Sequence, residues 1–542
     1  MHPQTVQRRP GVILGILVVA ALAIVIDTTV LNVALKTIAD PDGGLGATQA
    51  ELEWAVNSYT LVFASLLFTF GVLGDRVGRK RTLTVGMALF GIGSLGSAYA
   101  SSANGLIAAR AVMGLGAAAV MPQTLSIIAN VFEEKQRARA IGIWSSAVGI
   151  GVAVGPLLGG VLLASFWWGS VFLINVPLSA AGATAAYFLI PESRNPVPGK
   201  IDYLGVLASA AGLVLLVYGI VLGGDSGAWD RVGVIGPVAG GTVILAWFAW
   251  YETRIPHPSL DLRLFKNRHL CASVVVIALL YFGNSGVYFF SSFYLQNVRD
   301  YSPLEAGLLT SPFALGQLFT APRSAKLVAW FGVRAVGGVG SLLSMLAFAG
   351  YVLLGTSTPI WVFAVLFGMQ GTGVGLATPA VTATMMGSLP PERAGVGSAL
   401  NNTARQLSSA LGVAVLGSVL AESYRSALTP ALAALPSAAQ RAAIQSVSAT
   451  QAVAQQLGPA GWSLIERGNT AFVTAMHVAT LSAFAIALVG RLTVQRWLPP
   501  RPPAKHQYLG VGRHRVGGPA QAPVHPAAPA QDTHATRTSV TG

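Results

Sequence analysis

Fourteen stretches of this chain stay apolar for roughly the twenty residues that an α-helix needs to cross the hydrocarbon core of a bilayer. They lie near 12–33, 54–73, 82–102, 105–128, 140–163, 168–190, 203–222, 232–251, 270–295, 304–322, 334–354, 359–382, 397–420 and 470–491. The composition agrees: 53% of the residues are hydrophobic and only 10% are charged, against about 25% charged in an ordinary soluble domain. That excludes a soluble enzyme, a disordered chain and a nucleic-acid binder. The expected fold class is an all-α polytopic membrane protein.

The net charge of +14 needs placing before it is read as a signal for a polyanionic partner. With the N-terminus inside the cell, 26 basic residues fall in inner segments and 6 in outer ones. Such a bias sets topology. It predicts an even number of spans with both termini cytoplasmic. Arg8-Arg9 ahead of an apolar run, followed by Ala21-Leu22-Ala23, imitates an export signal. The thirteen apolar stretches that follow make it a first span with its anchor. Arg outnumbers Lys 27 to 7 and Ala and Gly abound, a hint of a GC-rich bacterial source.

Two segments read as lying outside the lipid. Residues 421–469 form an Ala/Gln/Ser-rich outer loop, part-helical around Ala438–Gln456, and residues 499–542 form a Pro- and Gly-rich disordered tail. No metal site is expected. Cys271 is the single cysteine, and His506, His514, His525 and His534 are scattered.

The chain echoes itself. Gly114-Leu115-Gly116 with Pro122 matches Gly371-Thr372-Gly373 with Pro379 at an offset of 257, and Arg76-Val77-Gly78 matches Trp330-Phe331-Gly332 at 254. Parallel halves of this kind are a signature of secondary transporters. The domain expectation is an N-terminal six-helix bundle over 1–195, two inserted spans with linkers over 196–265, and a C-terminal six-helix bundle over 266–498.

No nucleotide site is expected. Gly199-Lys200 lacks a following Ser or Thr, and the Gly91–Gly96 match to a dinucleotide fingerprint lies in mid-span with no strand before it. Buried charge is more informative. Asp27 is the one acid deep in a predicted span, whereas Glu51, Glu53 and Glu305 lie at span entrances. A carboxylate at mid-membrane costs about 2.5–3.5 kcal/mol on insertion scales, and such groups usually face a cavity or a proton path. The bland alternative is a structural partner for a buried Arg. Arg110 and Arg405 are the cations within spans, and His477 stands alone.

Polar stripes at helical spacing mark either a water-filled cavity or helix contacts. One is Ser398, Asn402, Arg405, Gln406 and Ser409; another is Asn284, Tyr288, Ser291 and Ser292. Asn32, Asn284, Tyr288, Gln317, Gln370, Asn402 and Arg405 are the candidate cavity-lining residues. Gly151, Gly155 and Gly159 recur every fourth residue beside Pro156 and Gly160. One helix face is therefore bare, for tight packing or a hinge. In the segment Gly71, Gly74, Asp75, Arg76, Gly78, Arg79, Lys80, topology accounts for the cations but not for one acid among three glycines.

Taken together these residues resemble the major facilitator superfamily, in its fourteen-span drug:proton antiporter branch (QacA/EmrB-like). The 71–81 segment is similar to the superfamily's signature loop. Asp27-Thr28-Thr29-Val30-Leu31-Asn32-Val33-Ala34-Leu35 resembles the branch's first-span motif, and Arg110 through Gly116 resembles its fourth-span motif. Gly149 through Gly160 resembles the antiporter motif of the fifth span, and Asn402-Thr403-Ala404-Arg405-Gln406 a late-span motif. The chain departs from the pattern at Lys36, where Pro is usual, and at Ala325 and Val328-Ala329 in the second copy of the loop.

The resemblance implies two six-helix bundles plus two inserted helices, fourteen in all. It also implies alternating access, a multi-pass place in the bacterial inner membrane, and export of amphipathic, often cationic drugs against protons. Asp27 and Arg110 would serve proton coupling. The 71–80 loop would be the gate. The expected partners are small amphipathic substrates, protons and the lipid bilayer, with no cofactor, no nucleotide, no nucleic acid and a monomeric unit. Two alternatives stay open: an exporter of one endogenous lipid, antibiotic or siderophore, and a non-transporting scaffold or polytopic membrane enzyme.

Overall fold

The computed structural model describes residues 10–132, 134–194, 202–255, 262–389, 394–433 and 435–500. These residues are helical, with no strand among them. The helices are α1 (Pro10–Ala39), α2 (Gln49–Val77), α3 (Arg79–Ala98), α4 (Ala103–Val131), α5 (Glu134–Ser165), α6 (Ser170–Leu173), α7 (Asn175–Leu189), α8 (Tyr203–Ser226) and α9 (Val232–Glu252). There follow α10 (Arg268–Phe293), α11 (Pro303–Phe331), α12 (Val333–Gly350), α13 (Ile360–Gly387), α14 (Ala394–Leu432), α15 (Ser437–Ala443), α16 (Val447–Gln456) and α17 (Trp462–Trp497).

Among the described residues, ten of these segments are long and apolar enough to span a membrane, or eleven with the bent pair Gln49–Leu67 and Thr69–Val77. Each of the fourteen apolar windows nevertheless holds a helix. The windows of α3 and α11 fall short because cations at their loop-facing ends and interspersed Gly and Ser dilute them, and α5 counts only as the shorter apolar stretch Ile150–Ser165.

Local chemistry sets the boundaries. Thr48 and Glu51 form a reciprocal capping box at the start of α2, and Ser302 and Glu305 form one at α11, where Pro303 occupies the first turn. Gly78 and Gly332 take φ of 130° and 84° between α2 and α3 and between α11 and α12. The same left-handed break thus occurs at matching places in the two halves. Only glycine adopts it without strain. The sixth window is broken between α6 and α7, because Pro177 has no N–H for the carbonyl of Leu173.

The predicted outer loop is largely ordered. α14 runs on to Leu432, α15 packs against α16, and α16 packs onto α17. Tyr424 Oη and Thr450 Oγ1 lie 2.6 Å apart, and Asn297 donates to Ser448 and Gln451 at 3.0 Å. The tail 499–542 lies outside the described residues apart from its first two.

α1 is packed against α5, α7, α4 and α10, the placement of a retained central helix. α5 meets α11, and α2 meets α14. The two halves therefore share one core, which includes Val30, Leu31, Phe289, Phe293 and Leu416. α8 lies over the α2–α14 seam, where Leu213, Val217 and Val221 meet Leu61, Ala410 and Ala414. α9 packs on α8, with Val232, Val243 and Trp250 exposed.

Candidate functional site

Asp27 sits in mid-α1 with its side chain 1% exposed, and so does Arg110 of α4. Arg110 Nη1 donates to Asp27 Oδ2 at 2.5 Å, and Asn175 Nδ2 donates to Asp27 Oδ1 at 3.0 Å. Arg110 Nε donates to the Ala55 carbonyl at 3.1 Å, and its guanidinium stacks 4.4 Å above the Tyr59 ring. A buried ion pair of this kind survives in lipid only because each charge cancels the other and their remaining polar valences are filled.

Glycine brings the helices this close. A Cβ on Gly114 would stand 2.5 Å from the Tyr59 carbonyl, and one on Gly116 would stand 2.5 Å from the Phe90 nitrogen. Asn175 escaped the sequence reading, because it falls at a break in a window taken as one continuous span. Asn175-Val176-Pro177 was the available signal.

The other half holds a neutral counterpart. At the offset of 257 that relates Gly114 to Gly371, Asp27 corresponds to Asn284 and Arg110 to Phe367. Gln370 Nε2 donates to Asn284 Oδ1 at 2.6 Å, and Tyr351 Oη donates to Gln370 Oε1 at 2.8 Å. Gln370 is fully buried and Asn284 nearly so; both spend their amides on this chain. Phe367 belongs to an aromatic wall with Tyr288 at 5.5 Å, Phe313 at 5.5 Å and Phe363 at 5.1 Å between centroids.

Asn32, Val33, Tyr288, Ser292, Leu295, Ala306 and Thr310 line a narrow cleft where α1 meets α10 and α11. Two predicted lining residues, Asn32 and Tyr288, meet there. Gln317 is half-buried on α11, where its backbone lies close to Gly375 of α13. Asn402 is half-buried on α14, and Arg405 stacks 4.5 Å above Tyr281. These three lie apart from the cleft. His477 Nε2 lies 2.8 Å from the Leu354 carbonyl, a packing histidine.

The bare face of α5 lies on α1. A Cβ at Gly151 would stand 3.1 Å from Leu22 and Val25, one at Gly155 would overlap Thr29 Oγ1, and one at Gly159 would stand 3.3 Å from Val30. Gly160 faces the other half: its Cβ would be 2.6 Å from Leu304 Cα. Gly307 returns the contact: a Cβ there would be 2.5 Å from the Pro156 carbonyl oxygen.

At the loop joining α2 to α3, Arg79 holds Asp75 through Nε at 2.9 Å and Nη2 at 2.8 Å. Its backbone N–H donates to the Ser193 carbonyl at 3.0 Å. Glu192, which the sequence reading did not single out, closes the clasp: it accepts from the Lys80 N–H at 3.2 Å and lies 3.6 Å from Arg81 Nε. Gly74 lies against the Gln123 amide and Gly71 against Pro122. Arg76 is exposed. In the second half Arg334 donates twice to the Leu498 carbonyl, at 2.9 and 2.7 Å. A carbonyl there does the work that carboxylates do in the first half.

Asp75→Asn is expected to weaken this clasp and slow turnover severalfold while leaving insertion intact. Initial rates per inserted molecule check it; unchanged rates would leave the loop a topological role alone.

The Major Facilitator Superfamily model matches residues 17–413. The chain belongs to that superfamily. Major facilitators of known description resemble it along most of their length. It is 34% identical to the methyl viologen resistance protein SmvA of Salmonella typhimurium, over 90% of this chain and 98% of that protein. It is 34% identical to the multidrug efflux pump LfrA of Mycolicibacterium smegmatis, over 89% and 96%. It is 31% identical to the tetracenomycin C resistance and export protein of Streptomyces glaucescens, over 89% and 90%.

Among solved structures, an inward-facing, unoccupied bacterial homologue of the lysosomal transporter Spinster aligns with a TM-score of 0.63 at 18% identity, over 91% of this chain and 99% of that one. A POT-family peptide transporter aligns at 0.60 and 15%, over 90% and 95%. At those identities the likeness speaks for the fold. The protein is therefore a multi-pass transporter of the bacterial cell membrane, and not an enzyme.

Proposed function

We propose that this major facilitator is a proton-coupled exporter of amphipathic, often cationic drugs. The observation that carries the reading is the asymmetry of the two halves. A mutually buried ion pair, Asp27–Arg110, lies in the first half. The matching place in the second half is an amide beside an aromatic wall. One half then handles the proton, and the other offers stacking and cation–π surface to a flat or cationic guest. The relatives' descriptions as resistance and efflux proteins support the same reading.

Asp27 carries the proton and Arg110 is its counter-charge: the carboxylate takes a proton from water when the halves rearrange and Arg110 shifts to its other partners, Ala55 and Tyr59 among them. A membrane potential supplies about 2.3 kcal/mol per charge per 100 mV. The cleft leaves only about 10 Å³ for the centre of a water-sized sphere, far less than the 300–1,000 Å³ or so of pockets that enclose drug-sized ligands. Loading therefore requires the halves to part at the end bearing the 71–81 loop. That loop and the mirrored break at Gly332 act as the gate at this end, and Gly151–Gly160 as the sliding surface. Asn402, Arg405 and Gln317 line the cavity in its open form.

The proposed frame is fourteen spans with both termini cytoplasmic. The domains are 1–195, 196–265 and 266–498, and the single chain is the unit of transport. The test is a dye panel in everted vesicles, with and without a proton gradient. Gradient-dependent uptake of several unrelated amphipathic cations supports the reading. Uptake of one endogenous lipid, antibiotic or siderophore alone would replace it with the single-substrate alternative.

Orientation has its own test. In a Cys271→Ala background, cysteines at Asp42 and Gln456 are expected to react with an impermeant maleimide added outside, and cysteines at Arg81 and Arg194 to stay unlabelled. Outside labelling at Arg81 would invert the topology.

A further inference from the structure

Lys36 stands where the first-span motif usually has Pro, and α1 continues through it to Ala39. Its ammonium donates to the backbone carbonyl of Gln296, in the other half of the molecule. The bond is reciprocated: Gln296 Nε2 donates to the Val33 carbonyl of α1 at 2.9 Å and to Ser292 Oγ at 2.8 Å. Gln296 is fully buried.

The acceptor belongs to a special place in the backbone. After Phe293, α10 widens into one π-helical turn, Tyr294–Val298. Such turns recur at functional sites. The chain then closes with the Arg299 N–H on the Tyr294 carbonyl and the Tyr301 N–H on the Leu295 carbonyl, both at 3.0 Å. Asp300 adopts φ of 55° in that turn. Two consecutive terminal carbonyls are thus filled from within α10's own closing turn. The next one, at Gln296, receives a cation from the other half, at the negative end of the helix dipole. Asp40 and Asp300 are the charged groups that face Lys36, one from each side of the contact.

We propose that Lys36 is the latch that holds the two halves together at the end opposite the 71–81 loop, and that α1 works it from the proton site. Asp27, the cleft residues Asn32 and Val33, and Lys36 lie on one unbroken helix, so a rotation or tilt of α1 at Asp27 moves all of them as a rigid body. Release of the Lys36–Gln296 pair opens the cleft on this side, and its re-formation closes it. Proline at this position has no side chain to reach across, so the latch is a property of this chain rather than of the motif.

The inference rests on the alternating-access reading of the protein, and the test separates the two. In a Cys271→Ala background carrying Ala306→Cys in the cleft, labelling by an impermeant maleimide from the side of Asp42 reports opening at that end without any transport step. Lys36→Met is expected to raise the labelling rate about tenfold, the factor that corresponds to one charge-assisted hydrogen bond of about 1.4 kcal/mol. Lys36→Arg is expected to restore the slow rate, since the guanidinium can still reach the carbonyl. Gln296→Leu removes the reciprocal bond and is expected to shift labelling in the same direction, which keeps the test decisive if Lys36→Met inserts poorly. Equal labelling in wild type, Lys36→Met and Gln296→Leu would overturn the latch. Faster labelling without proton-driven dye transport in the parent protein would keep the latch and sink the exporter reading instead.

Discussion

Asp27→Asn is expected to abolish gradient-driven efflux, because the amide keeps the shape of the side chain and cannot take up or release a proton. The structure adds a consequence. The substitution strands the Arg110 guanidinium, 1% exposed, with the Ala55 carbonyl, the Met113 sulfur and the Tyr59 and Phe172 rings as its remaining partners. Breaking one side of a buried pair costs about 3–5 kcal/mol, so a loss of activity could come from a loss of fold. Pairing Asp27→Asn with Arg110→Gln removes both charges and is expected to restore expression but not transport. Asp27→Glu is expected to retain partial activity, since it still titrates and can reach Arg110 by a rotamer change. The measurement is uptake of a cationic and a neutral dye into everted vesicles across a pH series, per inserted molecule.

Full proton-driven transport of both dyes by Asp27→Asn would remove Asp27 from the mechanism. The three acids at span entrances would then differ in standing. Glu51 and Glu305 are held in capping boxes with Thr48 and Ser302. Glu53 is 2% exposed and packs against Gly417 at the seam of α2 and α14, which makes it the next carrier to test.

Gly155→Leu is expected to stop turnover. Its Cβ alone would overlap Thr29 Oγ1 and come within 3.3 Å of the carbonyl of Ile26, the residue before Asp27. Overpacking a close helix contact costs about 1–3 kcal/mol, and here it would also push α1 away from α5. The matched control is Gly240→Leu on α9, where a Cβ meets nothing within 4 Å; transport and thermal stability there should match wild type. Dye efflux and a melting curve on both purified variants check the contrast. Wild-type efflux by Gly155→Leu would mean that the α1–α5 contact is free to open without consequence.

Much of this protein was legible in one dimension. Lipid forces backbone hydrogen bonds to close within each segment, so an apolar window of span length becomes a helix wherever it occurs, and charge between windows reports sidedness. Each window holds a helix in the structure, and the internal offset of 257 correctly pairs the glycines that let α4 and α13 approach their neighbours. Rare residues were equally readable. A lone carboxylate in an apolar run is so costly that Asp27 had to be either paired or functional.

Partners were not legible, because they come from different helices at contact distances that depend on packing. Nothing in the spacing says that Asp27 meets Arg110 across 83 positions, that Asn175 completes the site from a helix break, or that Glu192 closes the 71–81 loop from 112 positions away. The helical part of 421–469 was legible around Ala438–Gln456, where α15 and α16 lie, but what holds it in place was not. Its helices are short, and α16 is fixed by contacts with α17 and Asn297 rather than by its own propensity. The sequence alone determined which segments become helices, and which residues are too costly in lipid to be idle. Only the tertiary structure decided which of those residues neutralise one another, since a buried charge is satisfied by whatever the packing brings within 3 Å or so of it, and packing is a property of all the helices at once.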